Sequence, residues 1–138
     1  MPPFLAEAVS DGTEPLTGWT MVLIMAILAV APAILIASGW LGARGLIRPN
    51  LVFGIRTTYT LSDDAWYTVH ALAGNWTIAS GAVMALSVAL TPFFTDDIRL
   101  QAAAMLAPVG TGLILLFLGV WRAERIARAR AARDTDAP

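Results

Sequence analysis

One short segment holds most of the residues that could take part in chemistry. Arg56 is followed by Asp63, Trp66 and His70. On a helix, spacings of three and four residues put Asp63, Trp66 and His70 on one face, and Arg56 could pair with Asp63 if the chain folds back. Such a polar cluster could recognise a partner. Neither a nucleophile nor a second base is evident nearby, so the pattern favours binding over catalysis.

The same residues also have a structural interpretation. Asp63 and Asp64 suit the first turn of a helix, whose free N–H groups attract negative charge, and Thr60 and Ser62 are candidate N-caps. His70 would then be a polar residue at the headgroup boundary, hydrogen-bonded to the loop. The residues alone leave both interpretations open.

Composition excludes several kinds of site. The chain has no cysteine and one histidine, so a thiolate metal site, a disulfide and a cluster of imidazoles are all ruled out within one chain. No phosphate-binding glycine loop is present. We therefore predict no metal, no cofactor and no enzymatic activity. Of the residues, 57% are hydrophobic and 14% charged, against about 45–50% and about 25% in soluble domains, which indicates a membrane protein.

Three stretches are long and apolar enough to cross a bilayer, and each must be helical because backbone groups in lipid need internal hydrogen bonds. We predict an all-α integral membrane protein, a small bundle with spans at about residues 19–41, 69–92 and 100–121. The second helix is expected to begin at the interface before it enters lipid. Trp66 and Tyr67 would mark the headgroup level there.

Arginine counts predict the orientation. All nine basic residues are arginine: none precedes the first span, three lie in the loop after it, one follows the second span and five follow the third. An N-out, C-in chain places eight of them in the cytoplasm. We predict an extracytoplasmic tail (residues 1–18), a three-span domain (19–121) and a cytoplasmic tail (122–138). The last continues the third helix, with Glu124 and Arg128 spaced for an ion pair, and meets anionic membrane lipids rather than nucleic acid.

Small residues recur at four-residue spacing in each span, and such ladders let helices approach closely in lipid. They could pack the chain's own helices, which we favour, or join it to another membrane subunit or a second copy. The ladders are Ala29, Ala33 and Ala37; Ala73, Thr77, Gly81 and Ala85; and Ala103, Ala107 and Thr111.

The loop between the first two spans is too apolar for a solvated linker. Leu51, Val52 and Phe53 would be costly to expose, so we expect a structured cytoplasmic loop that lies in the interface or against the bundle. Gly54 permits a turn or a close backbone approach.

Residues 50–74 resemble the signature of the SdpI-like family, bacterial membrane proteins named for immunity to a secreted sporulation-delaying toxin. The family pattern is approximately N-x-x-F-G-I-R-T-P-W-T-L-S-x-x-x-W-x-x-x-H-x-x-x-G. This chain departs from it at Thr58, where proline is usual, and at Tyr59, where tryptophan is usual. The matching positions are Asn50, Phe53, Gly54, Ile55, Arg56, Thr57, Thr60, Leu61, Ser62, Trp66, His70 and Gly74.

The resemblance implies a non-enzymatic immunity and signal-receptor protein of the bacterial plasma membrane. Its partners would be a secreted peptide toxin and a cytoplasmic repressor held at the membrane when toxin is present. Arg56, Asp63, Trp66 and His70 would carry partner binding. The alternative is an accessory subunit of a larger membrane complex such as a transporter. A transporter built from this chain alone is disfavoured, because apart from His70 the spans contain no ionisable residue.

Overall fold

The computed structural model describes residues 15–49 and 63–135, which are helical apart from short connections and contain no strand. A 3₁₀ turn, Thr91–Phe93, follows the second helix. Each of the three helices is long and apolar enough to cross a membrane, so the predicted all-α, three-helix membrane fold is confirmed, while the N-out orientation stays a prediction. The helices are α1 (Gly18–Ala43), α2 (Asp63–Leu90) and α3 (Ile98–Thr135).

The central helix is α2, which packs along α1 on one side and along α3 on the other. Gly39, near the end of α1, lies against Gly74, near the start of α2. Pro32, further back along α1, lies against Gly81. The two helices are therefore antiparallel, as consecutive membrane spans joined by a loop must be.

The contact between α1 and α2 is close enough to require glycine. A Cβ atom on Gly39 would lie 2.7 Å from the Gly74 carbonyl oxygen and 2.8 Å from the Ile78 nitrogen, and one on Gly81 would lie 2.9 Å from the Pro32 carbonyl oxygen. Backbone atoms cannot move aside as a flexible side chain can. These glycines therefore set the distance between the helices, by the small-residue packing typical of membrane helices.

On its other side, α2 is joined to α3 by a buried hydrogen bond and by small residues. The Ser80 hydroxyl, which is fully buried, donates to the Gly112 carbonyl oxygen at 2.6 Å. Gly119 lies directly against the side chain of Trp76. A buried apolar cluster completes this interface near the start of α2. It comprises Val69, Ala73, Ala123 and Ala127.

Of the three predicted small-residue ladders, the one on α2 packs within the chain, where Ala73, Thr77 and Gly81 are buried. The packing faces of the outer helices are set instead by Gly39 on α1 and Gly112 on α3, and these lie on different faces from the ladders. The remaining ladder residues are exposed, except for half-buried Ala29 and Ala85. The exposed ones are Ala33, Ala37, Ala103, Ala107 and Thr111.

At one end of the molecule, Gln101 ties the residues before α1 to the start of α3. Its side-chain carbonyl accepts from the Leu16 N–H at 2.6 Å and its amide donates to the Leu16 carbonyl at 2.9 Å. Asp97 caps α3, because its carboxylate accepts from the N–H groups of Arg99 and Leu100 at 2.8 and 3.3 Å. The segment before α1 and the α2–α3 connection thus share one end, as a three-span topology requires.

At the other end, α3 continues to Thr135, in agreement with the predicted helical tail. Arg128 donates to Glu124 at 2.6 Å, which confirms the expected ion pair. The arginine is more than half exposed, so the pair contributes only about 0.3–0.5 kcal/mol.

Two tryptophan–arginine pairs mark a common level at this end. The Arg44 guanidinium lies 4.0 Å from the centre of the Trp40 ring, and that of Arg125 lies 4.8 Å from the centre of Trp121. Both tryptophans are exposed, and the helix register places both level with Ala73 of α2. Exposed tryptophan beside arginine is typical of a bilayer interface. The pairs therefore indicate where one interface crosses the three helices.

Candidate functional site at the start of the second helix

A glycine turn at the end of α1 brings the following residues back beside the bundle. Gly45 has a φ of +67°, a conformation that glycine adopts without the Cβ penalty of other residues. Its N–H donates to the Gly42 carbonyl at 3.0 Å, and the Leu46 N–H donates to the Leu41 carbonyl at 2.9 Å. These two bonds form a Schellman motif, which satisfies carbonyls at the helix end. The chain leaves α1 in a direction that brings Ile47 to α2.

Trp66 of α2 binds this returning segment. Its indole N–H donates to the Ile47 carbonyl oxygen at 3.1 Å, and its side chain is only 2% exposed. A buried indole N–H needs an acceptor, and a loop carbonyl meets that need. Trp66 is therefore an internal contact rather than the headgroup marker expected from sequence, whereas its neighbour Tyr67 does face outward.

His70 lies one turn further along α2, beneath the indole. The two rings are stacked, with centroids 4.2 Å apart and planes 28° from parallel. The His70 Nδ1 atom lies 2.7 Å from the Trp66 carbonyl oxygen. Because a carbonyl can only accept, Nδ1 must carry the proton in this bond, and in a neutral ring Nε2 is then the acceptor. His70 is 5% exposed and so holds Trp66 in place from within the bundle.

The backbone of α1 packs against α2 at His70. A Cβ atom on Gly42 would lie 3.3 Å from the His70 carbonyl oxygen and 3.6 Å from the His70 Cβ. Gly74, one turn beyond His70, makes the close contact with Gly39 described above. Together these contacts hold this part of the α2 backbone against α1, and the hydrogen bond from Trp66 holds the Ile47 carbonyl beside it.

The structure separates the predicted site residues into groups. Trp66, His70 and Gly74 share one buried face of α2, as their spacing predicted. Asp63 is the first residue of α2 and is exposed, so it stands apart from the two rings. Its predicted pairing with the loop arginine stays a prediction. The other predicted site residues lie outside the described residues: Asn50, Phe53, Gly54, Arg56, Thr57 and Thr60.

Sequence reasoning missed the α1 half of the site. Gly39, Gly42 and Gly45 recur at three-residue spacing at the end of the first apolar stretch. That spacing combines a small-residue packing face with a glycine just beyond a helix end, which are two recognisable signals. The sequence contains no signal for the hydrogen bond to Ile47, because the acceptor is a backbone carbonyl, which every residue has.

This arrangement is suited to holding the chain rather than to a reaction at the rings. Both aromatic side chains are almost completely buried, so a ligand cannot reach them without rearrangement of the bundle. Within the described ranges, no group of three or more histidine, aspartate or glutamate side chains could hold a metal ion. What the site can do is fix both ends of the intervening loop: Ile47 on the α1 side and the start of α2 on the other.

Comparison with known proteins gives one family. The sequence profile of the SdpI/YfhL protein family matches residues 47–123, which is more than half of the chain. The match begins at the residue whose carbonyl Trp66 binds and ends at Ala123, which packs in the cluster at the start of α2. No curated protein and no solved structure gives a match. On this match, the chain belongs to the SdpI/YfhL family.

Proposed function

We propose that the chain is a non-enzymatic membrane immunity protein and signal receptor, which protects its cell against a secreted peptide toxin and presents the loop of residues 50–62 to a cytoplasmic repressor. Membership of the SdpI/YfhL family supports an immunity-type membrane protein. The observation that carries the proposal is the buried Trp66–His70 stack bound to the Ile47 carbonyl, because it fixes the base of the loop that holds the rest of the motif.

In this proposal the motif residues have two different roles. Trp66 and His70 position the loop and do not themselves touch the partner, since both are buried. Recognition belongs to the loop, with Arg56 as its cation, and to the exposed carboxylate of Asp63 beside it. A cation from the loop and an anion from the start of α2 suit a polar protein surface.

The level of the site supports access from the aqueous side. Trp66 lies seven positions before Ala73, which is level with the tryptophan–arginine pairs, and at 1.5 Å per residue the distance along the helix is about 10 Å. The start of α2 therefore extends beyond the apolar layer. A water-soluble regulator could reach the loop there without entering the membrane.

Toxin survival in a deletion strain tests the proposal. Deletion is expected to sensitise cells to a peptide toxin secreted by the organism, and the wild-type gene should restore survival whereas Arg56→Ala should not. Arg99→Ala is the matched control, because it removes an exposed arginine from the opposite end of the bundle. Unchanged survival of the deletion strain across the organism's secreted peptides would contradict an immunity role.

Cysteine labelling tests the orientation on which the proposal depends. The native chain has no cysteine, so single substitutions report one site each. Asp11→Cys and Asp97→Cys should react with an impermeant thiol reagent added outside the cell, and Leu46→Cys and Arg130→Cys only after permeabilisation. The reverse pattern would put the loop outside and remove it from any cytoplasmic repressor.

A second candidate function is an accessory subunit of a larger membrane complex, favoured by the exposed small-residue ladder on α3. Ala103, Ala107 and Thr111 are exposed, and a Cβ atom on Gly110 would meet no atom within 4 Å. A helix face made of small residues allows another helix to approach closely.

Purification in mild detergent separates the two functions, because a subunit should co-purify with stoichiometric partners and an independent receptor should not. A self-associating chain would instead form disulfide dimers through Thr111→Cys but not through Leu113→Cys, an exposed position on a different face of α3. A monodisperse single chain without crosslinks would count against the subunit function.

A further inference from the structure

A groove runs along α1 on a face other than the one packed on α2. Its volume is about 480 Å³. One wall is formed by Ile34, Ala37 and Leu41 of α1, the other by Leu46 and Ile47 of the returning segment, and Arg48 lies at its edge. The Gly45 turn creates this groove, because it folds residues 46–48 back beside the helix they have just left.

The groove is apolar over most of its length. Ile34 and Leu41 are seven residues apart, which on a helix is roughly 10 Å. Ser38 also lines it, but its hydroxyl donates to the Leu35 carbonyl at 3.1 Å, so it adds little polarity. A ligand that fits must therefore present an apolar portion along α1.

One end of the groove carries the cationic side chain of Arg48. Arg48 is exposed as well as lining the groove, and none of the lining residues is acidic. Arg44, close by in sequence, lies over Trp40, one of the tryptophans that mark the interface level. The groove thus combines an apolar length with a cationic end, which complements the acyl chain and the charged headgroup of an anionic lipid.

We propose that this groove binds one anionic phospholipid from the leaflet at this end of the molecule. An acyl chain would lie between α1 and residues 46–47, and the headgroup phosphate would meet Arg48. The charge of the edge favours an anionic headgroup over a zwitterionic one, as cationic pockets beside membrane helices do. The proposal is independent of the toxin and repressor proposed above.

The volume of the groove, about 480 Å³, suits a single acyl chain. It is of the size that single small ligands occupy, roughly 300–1,000 Å³.

Lipid titration of the purified full-length chain, followed by native mass spectrometry, tests the proposal. The probes are dioleoyl-phosphatidylglycerol, which is anionic, and dioleoyl-phosphatidylcholine, which is zwitterionic. The wild type should retain one phosphatidylglycerol with roughly fivefold preference, the gain expected from one arginine near a phosphate. Arg48→Gln should reduce this preference to near parity, and Ala37→Phe, which fills the groove, should weaken retention of both lipids.

Two controls make the result specific. Arg122→Gln removes an exposed arginine of α3 near the same end, and Ala33→Phe enlarges an exposed α1 residue that does not line the groove; both should behave as wild type. Equal retention of the two lipids, or equal losses in Arg48→Gln and Arg122→Gln, would overturn the proposal. Replacing Ile34 with photoreactive benzoylphenylalanine gives a second test in cells. A crosslink from this position to a protein instead of a lipid would also overturn the proposal.

Discussion

Replacing Gly39 with alanine is expected to force α1 away from α2 and weaken the bundle. The new Cβ atom would lie 2.7 Å from the Gly74 carbonyl oxygen and 2.8 Å from the Ile78 nitrogen. Both are backbone atoms of a continuous helix, so local side-chain movement cannot relieve the overlap. The helices must separate as rigid bodies.

The magnitude follows from that separation. Ordinary contact begins near 3.4 Å, so the axes must move apart by roughly 0.7 Å, and a gap of 0.5–1 Å loses about a quarter to a half of each dispersion contact. In lipid no hydrophobic effect between helices compensates for this loss. We expect a cost of about 1–3 kcal/mol, the usual range for overpacking, which corresponds to roughly 5- to 150-fold in the unfolding equilibrium.

The measurement is the free energy of unfolding in bicelles by steric trapping, with Gly110→Ala as the matched control. A Cβ atom on Gly110 meets no atom within 4 Å, so this variant gains the helix propensity of alanine, up to about 1 kcal/mol, without overlap. The difference between the two variants isolates the packing cost. Equal stability of Gly39→Ala and Gly110→Ala would refute the close-contact reasoning.

Four further substitutions test single contacts. Trp66→Phe replaces the indole by a phenyl ring and leaves the Ile47 carbonyl without its donor, so we expect a cost of about 1–3 kcal/mol and faster thiol labelling of a cysteine introduced in the loop; unchanged labelling would contradict the anchoring role. Gly45→Ala puts a Cβ into the left-handed region and should lower unfolding free energy by about 1–2 kcal/mol, unlike Gly110→Ala. Ser80→Ala removes one interhelical bond and should cost about 0.6 kcal/mol, measured by the same trapping assay. Asp97→Ala removes the α3 cap and should cost about 1 kcal/mol, with Asp97→Asn retaining most of it.

Most of the fold could be predicted because each span carries its own signal. A charge-free apolar stretch must form a helix in lipid, and the helices occur where those stretches do. The packing faces were harder to predict. The ladder of Ala33 and Ala37 has the same spacing as that of Thr77 and Gly81, yet only the second is buried. In lipid every face of a helix is apolar, so hydrophobic periodicity does not distinguish the packed face from the lipid-facing one.

The candidate site was only partly predictable for a related reason. The spacing of Trp66, His70 and Gly74 correctly predicted a shared face, but polarity suggested that the two rings lie at the headgroup boundary and contact partners. They are buried instead, because the Schellman turn at Gly45 brings the Ile47 carbonyl to the indole. An acceptor supplied by a backbone carbonyl leaves no trace in residue types.

Under the function proposed above, the family motif has two halves with different physical roles. Trp66, His70 and Gly74 follow one another at four-residue intervals, which is the spacing of a single helix stripe, and that stripe is the surface α2 presents to α1. Substitutions there should act mainly through stability and through the position of the loop. Substitutions at Arg56 and its loop neighbours should act on recognition and leave the bundle intact. On that proposal, a chain that kept the helical half and changed the loop is expected to retain this fold while responding to a different partner.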